Sequence, residues 1–255
     1  MAVLTEEQEM LRNMAREWTD NENPISEYRK VRASGDPKRY AASAHRAMAE
    51  MGWTGIIVQE KHGGSDFGWL SAGLVVGELG RTLTATPLVA STLAASAIIL
   101  GGSEEQKTKY LPALANGEMS GTLAMDEGTR HDPSKFMKRV SDGKTFGTKS
   151  FVHEAHSADL FIVAASDGVY LVDKGDDIAQ ADRHLTDQRS HAQVIFDGAK
   201  ADKLDAAADL LLDDLLDRAR ILAGCEMLGM AQTAFDMTLD YLKQRVQFNQ
   251  ILATF

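Results

Sequence analysis

Residues 159–172 read Asp-Leu-Phe-Ile-Val-Ala-Ala-Ser-Asp-Gly-Val-Tyr-Leu-Val, two apolar runs separated by an Asp-Gly pair. Apolar runs of this length, rich in Val and Ile and joined by a turn dipeptide, predict two buried strands of a hairpin. Asp-Gly pairs at 142–143 and 197–198 mark further turns, and residues 192–196 read as another strand. The sequence therefore predicts a compact β domain around this hairpin, covering about residues 119–205.

Helical patterns lie on both sides of this β domain. Thr5 with Gln8 and Ser103 with Gln106 match the capping box that opens a helix, and the first helix is expected to bury a stripe of Met10, Leu11, Met14 and Trp18. Asp36 followed by Pro37 predicts another helix start, with its end at Gly52. Residues 88–100 form the most apolar run and predict a buried helix, too short to span a bilayer.

The chain is expected to be helical again from about residue 206 to its last residue. One apolar stripe follows this helix, and nothing downstream can cover it: Leu228, Ala231, Phe235, Leu239, Leu242 and Val246. The predicted fold class is α+β and multidomain. It combines an N-terminal all-α bundle (1–118), a middle β-sandwich or barrel (119–205) and the first long helix of an incomplete C-terminal α bundle (206–255).

Composition limits the possible partners. The chain of 255 residues carries 27 basic and 37 acidic side chains, a net charge of −10, which disfavours nucleic acid and anionic membranes. The single cysteine, Cys225, permits no internal disulfide and fits a cytoplasmic protein, where we expect it to be a buried hydrophobe. His153, His156 and Asp159 are close in sequence, but in a strand the two histidines point to opposite faces, so we expect no metal site.

Short strings in a fixed order resemble the acyl-CoA dehydrogenase family along nearly the whole chain. Each is weak alone, whereas their common order is specific. They are Gln59-Glu-Lys-His-Gly-Gly64, Val76-Gly-Glu-Leu-Gly80, the region from Gly102 to Glu118, Gly147-Thr-Lys149, Ala158-Asp159 and Arg245-Val-Gln-Phe248. The resemblance implies a flavoprotein that removes hydrogens from Cα and Cβ of an acyl-CoA thioester. FAD would receive the hydride and an electron-transferring flavoprotein the electrons.

The resemblance also implies the site residues. The flavin would be contacted by Leu123, Met125, Asp126, Phe151 and His153, and a neighbouring subunit's flavin by Arg245, Gln247 and Phe248. The acyl-CoA would be held by Asp132, Asp217 and Arg220. Asp126 is the most awkward substitution, because a carboxylate beside the ring opposes the charge of reduced flavin unless it is paired or turned away.

No catalytic base can be assigned. In most relatives the base is a glutamate that would lie beyond Phe255, and in a minority it stands at the position of Ala219. Three hypotheses follow. In the first, the chain is an FAD-dependent acyl-CoA dehydrogenase whose remaining helices are absent or supplied by a partner. In the second, it is a non-catalytic partner subunit of a hetero-oligomer of this family, with weakened or lost flavin binding. In the third, it is a helical interaction module without flavin or CoA. The uncovered stripe favours a homo- or hetero-oligomer, a dimer or a tetramer.

Overall fold

A computed structural model describes residues 3–132, 136 and 140–255. The helices are α1 (Glu6–Asn21), α2 (Ile25–Ser34), α3 (Ala42–Glu50), α4 (Gly68–Arg81), α5 (Leu88–Gly101), α6 (Glu104–Ala115) and α7 (Ala208–Gln244). The strands are β1 (Gly121–Ala124), β2 (Val140–Ser141), β3 (Lys144–His153), β4 (Leu160–Ala165), β5 (Gly168–Asp173), β6 (Ile178–Asp182), β7 (His191–Lys200), β8 (Asp202–Lys203), β9 (Val246–Gln247) and β10 (Gln250–Ile251).

The middle of the chain forms a sandwich of two four-stranded sheets, as the fold class predicted. One sheet has the order β1-β4-β5-β8 and the other β2-β3-β7-β6. The quoted hairpin is β4 paired antiparallel with β5. Alternate residues of β4 face opposite ways: Phe161 and Val163 pack between the sheets, whereas Leu160 and Ile162 pack against the helices. A strand apolar on both faces is therefore explained by burial on both faces.

The helices form one layer against the outer face of the first sheet. The predicted buried helix is α5, which packs against β1, α6 and α7. The first part of α7 joins the same core through Leu211, Leu215 and Leu222. Both predicted capping boxes are present, at Thr5 and Ser103.

Helices α4 and α7 cross at unusually small separation because glycines line the contact. A Cβ added to Gly229 would lie 1.9 Å from the carbonyl oxygen of Gly77, and one added to Gly80 would lie 2.3 Å from that of Glu226. Cys225 fits here as a half-buried side chain against Gly73. Only residues without a Cβ allow this approach, which sets the position of α7 on the N-terminal helices.

Two predictions about the N-terminal helices are wrong in detail. The buried face of α1 is Leu11, Ala15 and Thr19, while Met10 is 70% exposed. Asp36 does not open a helix. Its side chain instead accepts from the backbone N–H of Lys38 in a turn, and α3 begins at Ala42. An Asp side chain satisfies a turn as readily as a helix start, so the same residue pattern fits both.

The Asp197-Gly198 pair is not a turn. Gly198, with φ +81°, is the extra residue of a bulge within β7, where Ala199 pairs with Thr145 and Asp197 pairs with Phe146. A glycine at positive φ serves a bulge as well as a hairpin turn.

The helix expected to run to the last residue ends at Gln244. Arg245 adopts an extended conformation, and a small hairpin of β9 and β10 follows, turning at Phe248 and Asn249 with φ values of +52° and +61°. Asn tolerates the left-handed region without a glycine, which explains why no Gly or Pro marked this exit. Among the described residues, no helix combines the length and the apolarity that crossing a membrane requires.

Candidate functional site

Strands β1 and β3 bring together the residues predicted to contact a flavin. Thr122 Oγ1 donates to the carbonyl of His153 at 2.5 Å, and the Ser150 backbone N–H donates to the carbonyl of Asp126 at 2.6 Å. These two bonds tie the segment 122–126 to the segment 150–153. Leu123 and Met125 lie on the first segment, Met125 buried and Leu123 half-buried.

A bulge near the end of β3 directs Phe151 outward. Lys149 pairs with Val194 and Val152 with Ala192, so β3 has one residue more than β7 over this stretch. Phe151 adopts φ +54° and its side chain is 38% exposed. A large apolar ring on the surface at a bulge provides a face on which a planar ligand can stack.

Asp126 and Asp132, the acidic residues predicted to contact the flavin and the acyl-CoA, differ in burial. Asp126 is half-buried, and its Oδ1 lies 2.8 Å from Nδ1 of His131. Asp126 is therefore paired, which is the condition on which a carboxylate is tolerated here. Asp132 is exposed.

Lys149, on β3, holds the segment 122–126 through hydrogen bonds of its buried ammonium group, a role that the sequence did not reveal. Its side chain is 1% exposed, and Nζ donates to the carbonyls of Met125 at 3.0 Å and Ala164 at 2.5 Å, and to Glu127 Oε1 at 2.7 Å. The ammonium thus connects the end of β1, the end of β4 and a buried carboxylate. The Gly-Thr-Lys string contained this residue, but its burial follows only from the sandwich.

His153 opens into a cavity of about 420 Å³ between the sandwich and the helices. Its ring lies 4.9 Å from that of His191. The cavity is lined by residues from α2, the turn after α4, β3, the loop before β7, the start of β7, and α7: Tyr28, Leu83, His153, Asp187, Arg189, His191, Glu226 and Met230. Tyr28 donates to the carbonyl of Asp187 at 2.6 Å, and Arg189 pairs with Glu226.

Opposite pKa shifts occur at the wall of this cavity. The pKa of His153 is lowered to about 3, chiefly by burial, with smaller contributions from His191 and Arg189. The pKa of Glu154 is raised to about 8, chiefly by burial, against the opposing effects of Ser157 and Arg189. Both groups are therefore neutral at pH 7, and the ring can donate or accept hydrogen bonds.

The histidines considered as metal ligands have separate partners. His153 contacts Glu154 and His191, whereas His156 pairs with Asp182. Asp159 accepts from the backbone N–H of Ser120. In the part of the chain that the structure describes, no group of His, Cys, Asp and Glu side chains could hold a metal ion.

Asp217 and Arg220, predicted to hold the acyl-CoA, form an exposed ion pair on α7. Arg220 donates to Asp217 Oδ1 at 2.6 Å, and both side chains are more than half exposed. The intervening Ala219 is half-buried against the core. Arg218 instead faces inward, where it donates to Ser96 Oγ at 2.7 Å and lies over the ring of Trp69.

The structure does not bring Arg245, Gln247 and Phe248 to this cavity. They follow the C-terminal end of α7, and Arg245 lies about 22 Å along the helix axis from Met230. All three are exposed, and Phe248 contacts only the ring of Phe255 among the described aromatic residues. The role of these three residues toward a neighbouring subunit stays a prediction.

Comparison with known proteins identifies similar sequences. Residues 5–118 match the family described as acyl-CoA dehydrogenase, N-terminal domain. The acryloyl-CoA reductase (NADH) of Anaerotignum propionicum is 29% identical, in an alignment that covers 98% of this chain and 69% of that protein.

Solved structures agree with the sequence matches. A steroid ACAD variant described by the pair Tcur3481-Tcur3483 has a TM-score of 0.89 at 27% identity, covering 98% of this chain and 70% of the other. A structure described as an electron transferring flavoprotein of Acidaminococcus fermentans has a TM-score of 0.86 at 26% identity, covering 100% of this chain and 73% of the other. The likeness therefore extends across the helices and the sandwich.

Proposed function

Since the chain belongs to the acyl-CoA dehydrogenase family, we propose that it takes part in the α,β-dehydrogenation of an acyl-CoA thioester. FAD is the proposed cofactor, and an electron-transferring flavoprotein the proposed next acceptor. The observation that carries this proposal is the alignment of segment 122–126 with Phe151 and His153 by two hydrogen bonds.

The residues present fit a flavin. Phe151 offers an exposed ring at a bulge, His153 offers a neutral imidazole, and the carboxylate of Asp126 is paired with His131. When bound, FAD supplies the hydride-accepting chemistry, which no protein side chain can supply. The chain's own part is to stack against the ring, to donate a hydrogen bond to it and to exclude water.

Proton removal from the substrate needs a group that this site does not provide. Position 219, where the resemblance implies the base in a minority of relatives, holds an alanine packed against the core. We therefore propose that the carboxylate that takes the α proton comes from elsewhere in the protein or from another subunit. The exposed Asp217–Arg220 pair is available to orient the acyl-CoA. Because one relative is named as a reductase, the direction of the reaction should be tested both ways.

Flavin binding tests this proposal through Phe151. We expect Phe151→Ala to weaken FAD binding about fivefold or more, since a stacked aromatic ring contributes on the order of 1 kcal/mol. The matched control is Phe146→Ala, because Phe146 lies on the same strand and is similarly exposed. The measurement is quenching of flavin fluorescence on titration with protein. Equal affinities of the two variants would contradict the placement.

A second candidate is a non-catalytic partner subunit, which the alanine at position 219 and the carboxylate at position 126 favour. The structural relative described as the pair Tcur3481-Tcur3483 supports this candidate. Enoyl-CoA formation with the flavin bound to this chain, once the missing helices are present, supports the first candidate. Activity that arises only after an active subunit is added, with flavin retained by that subunit, supports the second.

A further inference from the structure

Glu154 is a buried acid for which the proposed function has no use. It follows β3 directly, is 3% exposed and adopts φ +55°. Its backbone N–H donates to the carbonyl of Ser190 at 2.8 Å, and its own carbonyl accepts from Ser157 Oγ at 2.8 Å. A non-glycine residue held at positive φ by contacts on both sides is fixed in place.

The carboxyl group of Glu154 has two side-chain neighbours. Oε2 accepts from Ser157 Oγ at 3.2 Å, and Oε1 lies 3.4 Å from Nε2 of His153. The second separation is longer than a normal hydrogen bond, so a hydrogen bond between these two groups requires them to approach each other slightly. Glu154 lies next to Nε2 of the His153 ring. The other ring nitrogen, Nδ1, is therefore the one that can bind a molecule in the cavity.

Charged and titratable groups from every adjoining element surround this pair. Those on the sandwich and its loops are Arg189, Asp187 and His191, and those on the helices and their connections are Glu226, Tyr28 and Tyr40. Arg189 is paired with Glu226, which moderates its influence on the pair. Burial therefore dominates, and it favours the neutral forms of both Glu154 and His153.

We propose that Glu154 is a positioning residue that sets the tautomer of His153 and thereby the hydrogen-bonding character that His153 presents to a ligand in the cavity. The neutral carboxyl group donates to Nε2, so the ring proton resides on Nδ1, which donates to the ligand. When Glu154 loses its proton to solvent, the ring proton moves from Nδ1 to Nε2 and is donated to the carboxylate. Nδ1 then becomes an acceptor, while the imidazole stays neutral throughout.

The ligand class follows from this donor. In the neutral state of Glu154 the cavity favours a molecule with a hydrogen-bond acceptor at its edge, and the ionised state disfavours that molecule. The identification of this acceptor with the flavin rests on the proposed function. The tautomer of His153 does not, because it is a property of the chain without ligand.

Nitrogen-15 NMR of histidine-labelled protein without flavin tests the tautomer directly. His153 is assigned from the signal lost in His153→Gln, and spectra are recorded from pH 6 to pH 9.5. We expect the proton on Nδ1 at low pH and on Nε2 at high pH, with a midpoint near the pKa of Glu154, about 8. In Glu154→Gln we expect no change of tautomer over this range, whereas the exposed control Glu118→Gln behaves as the wild type.

A second variant covers the case in which Glu154→Gln does not fold. Ser157→Ala removes a hydrogen bond that lowers the pKa of Glu154, so the midpoint should move to higher pH. One tautomer of His153 throughout the wild-type titration would overturn the proposal. A midpoint unaffected by both substitutions would do so as well.

Flavin titrations separate this inference from the proposed function. If both hold, the affinity for FAD falls above pH 8 in the wild type and stays level in Glu154→Gln. If no FAD binds at any pH while the tautomer changes as described, the proposed function fails and the role of Glu154 stands. If FAD binds with the same pH dependence in both proteins, the tautomer of His153 does not govern the ligand.

Discussion

At the scale of single residues, the site contains two neighbours, His153 and Glu154, whose pKa values are shifted in opposite directions by burial. Glu154 retains its proton to about pH 8, and His153 remains unprotonated down to about pH 3. Between these limits His153 and Glu154 are uncharged hydrogen-bonding groups, and they lie beside Asp187 and the ion pair of Arg189 with Glu226.

The pH dependence of stability should reveal the protonated state of Glu154. Because its folded pKa lies above the usual value, the folded chain holds a proton that the unfolded chain has released, and stability falls as pH rises toward 8. His153 acts in the opposite sense, but only at pH below about 6.5, the usual pKa of histidine. The free energy of unfolding of Glu154→Gln should therefore rise relative to that of the wild type by about 1 kcal/mol per pH unit between pH 6.5 and 7.5.

Urea unfolding at several pH values measures this difference, with Glu118→Gln as the exposed control. Parallel curves for wild type and Glu154→Gln would show that Glu154 is already ionised in the folded chain.

Lys149 should be the most sensitive cation of the sandwich. In Lys149→Met the carboxylate of Glu127 and two backbone carbonyls lose their buried donor, and breaking such a pair costs about 3–5 kcal/mol. Lys144→Met on the same strand exposes no such group and should change stability by less than about 0.5 kcal/mol. Denaturant unfolding of the two variants compares them, and a similar small effect in both would mean that Lys149 is not buried as described.

At the scale of elements, short sequence signals predicted where helices start better than how the helices and strands pack or pair with one another. The capping boxes at Thr5 and Ser103 were predictable because each lies within four consecutive residues. The bulge at Gly198 was not, since a positive φ alone does not distinguish a bulge from a turn. Helix α2 was missed because it has no side-chain cap and buries none of its residues.

The candidate site likewise has a part that the sequence predicts and a part that it does not. The segments around residues 123–126 and 151–153 could be predicted because they are continuous strings that resemble a family. The cavity could not, since Tyr28, Arg189 and Glu226 come from three distant parts of the chain and meet only when α7 lies on α4. No spacing within the sequence indicates that Glu154 is buried.

The crossing of α4 and α7 should depend on Gly229. Gly229→Ala places a methyl group 1.9 Å from a backbone oxygen of Gly77, which forces the helices apart, and we expect a loss of at least about 1–3 kcal/mol. Gly224→Ala is the matched control, because a Cβ there meets nothing within 4 Å. The control should gain up to about 1 kcal/mol from helix propensity. Thermal unfolding measures both variants, and a stabilised Gly229→Ala would contradict the close approach.

At the scale of the whole molecule, the second half of α7 leaves a large apolar surface uncovered. Its exposed members were partly anticipated by the predicted stripe: Met227, Leu228, Phe235, Met237 and Tyr241 are each more than half exposed. Patches of this kind mark interaction surfaces. The helix of 37 residues thus combines an N-terminal half within the core and a C-terminal half available for assembly.

Association in solution should depend on this surface. We expect the chain to self-associate, and Leu228→Glu combined with Phe235→Glu to shift it toward the monomer in sedimentation velocity. Asn13→Asp combined with Gln244→Glu adds the same charge at exposed polar positions away from Leu228 and Phe235 and should leave association unchanged. Equal behaviour of the two double variants would place the contact elsewhere.

The most direct test of the central claim, that this fold holds FAD, is the flavin content of the purified protein. The chain is incubated with excess FAD, freed of unbound flavin by gel filtration and examined by its visible spectrum. We predict yellow protein with near-stoichiometric flavin, and reduced retention in Phe151→Ala. Colourless protein that takes up no FAD at any pH would contradict the account.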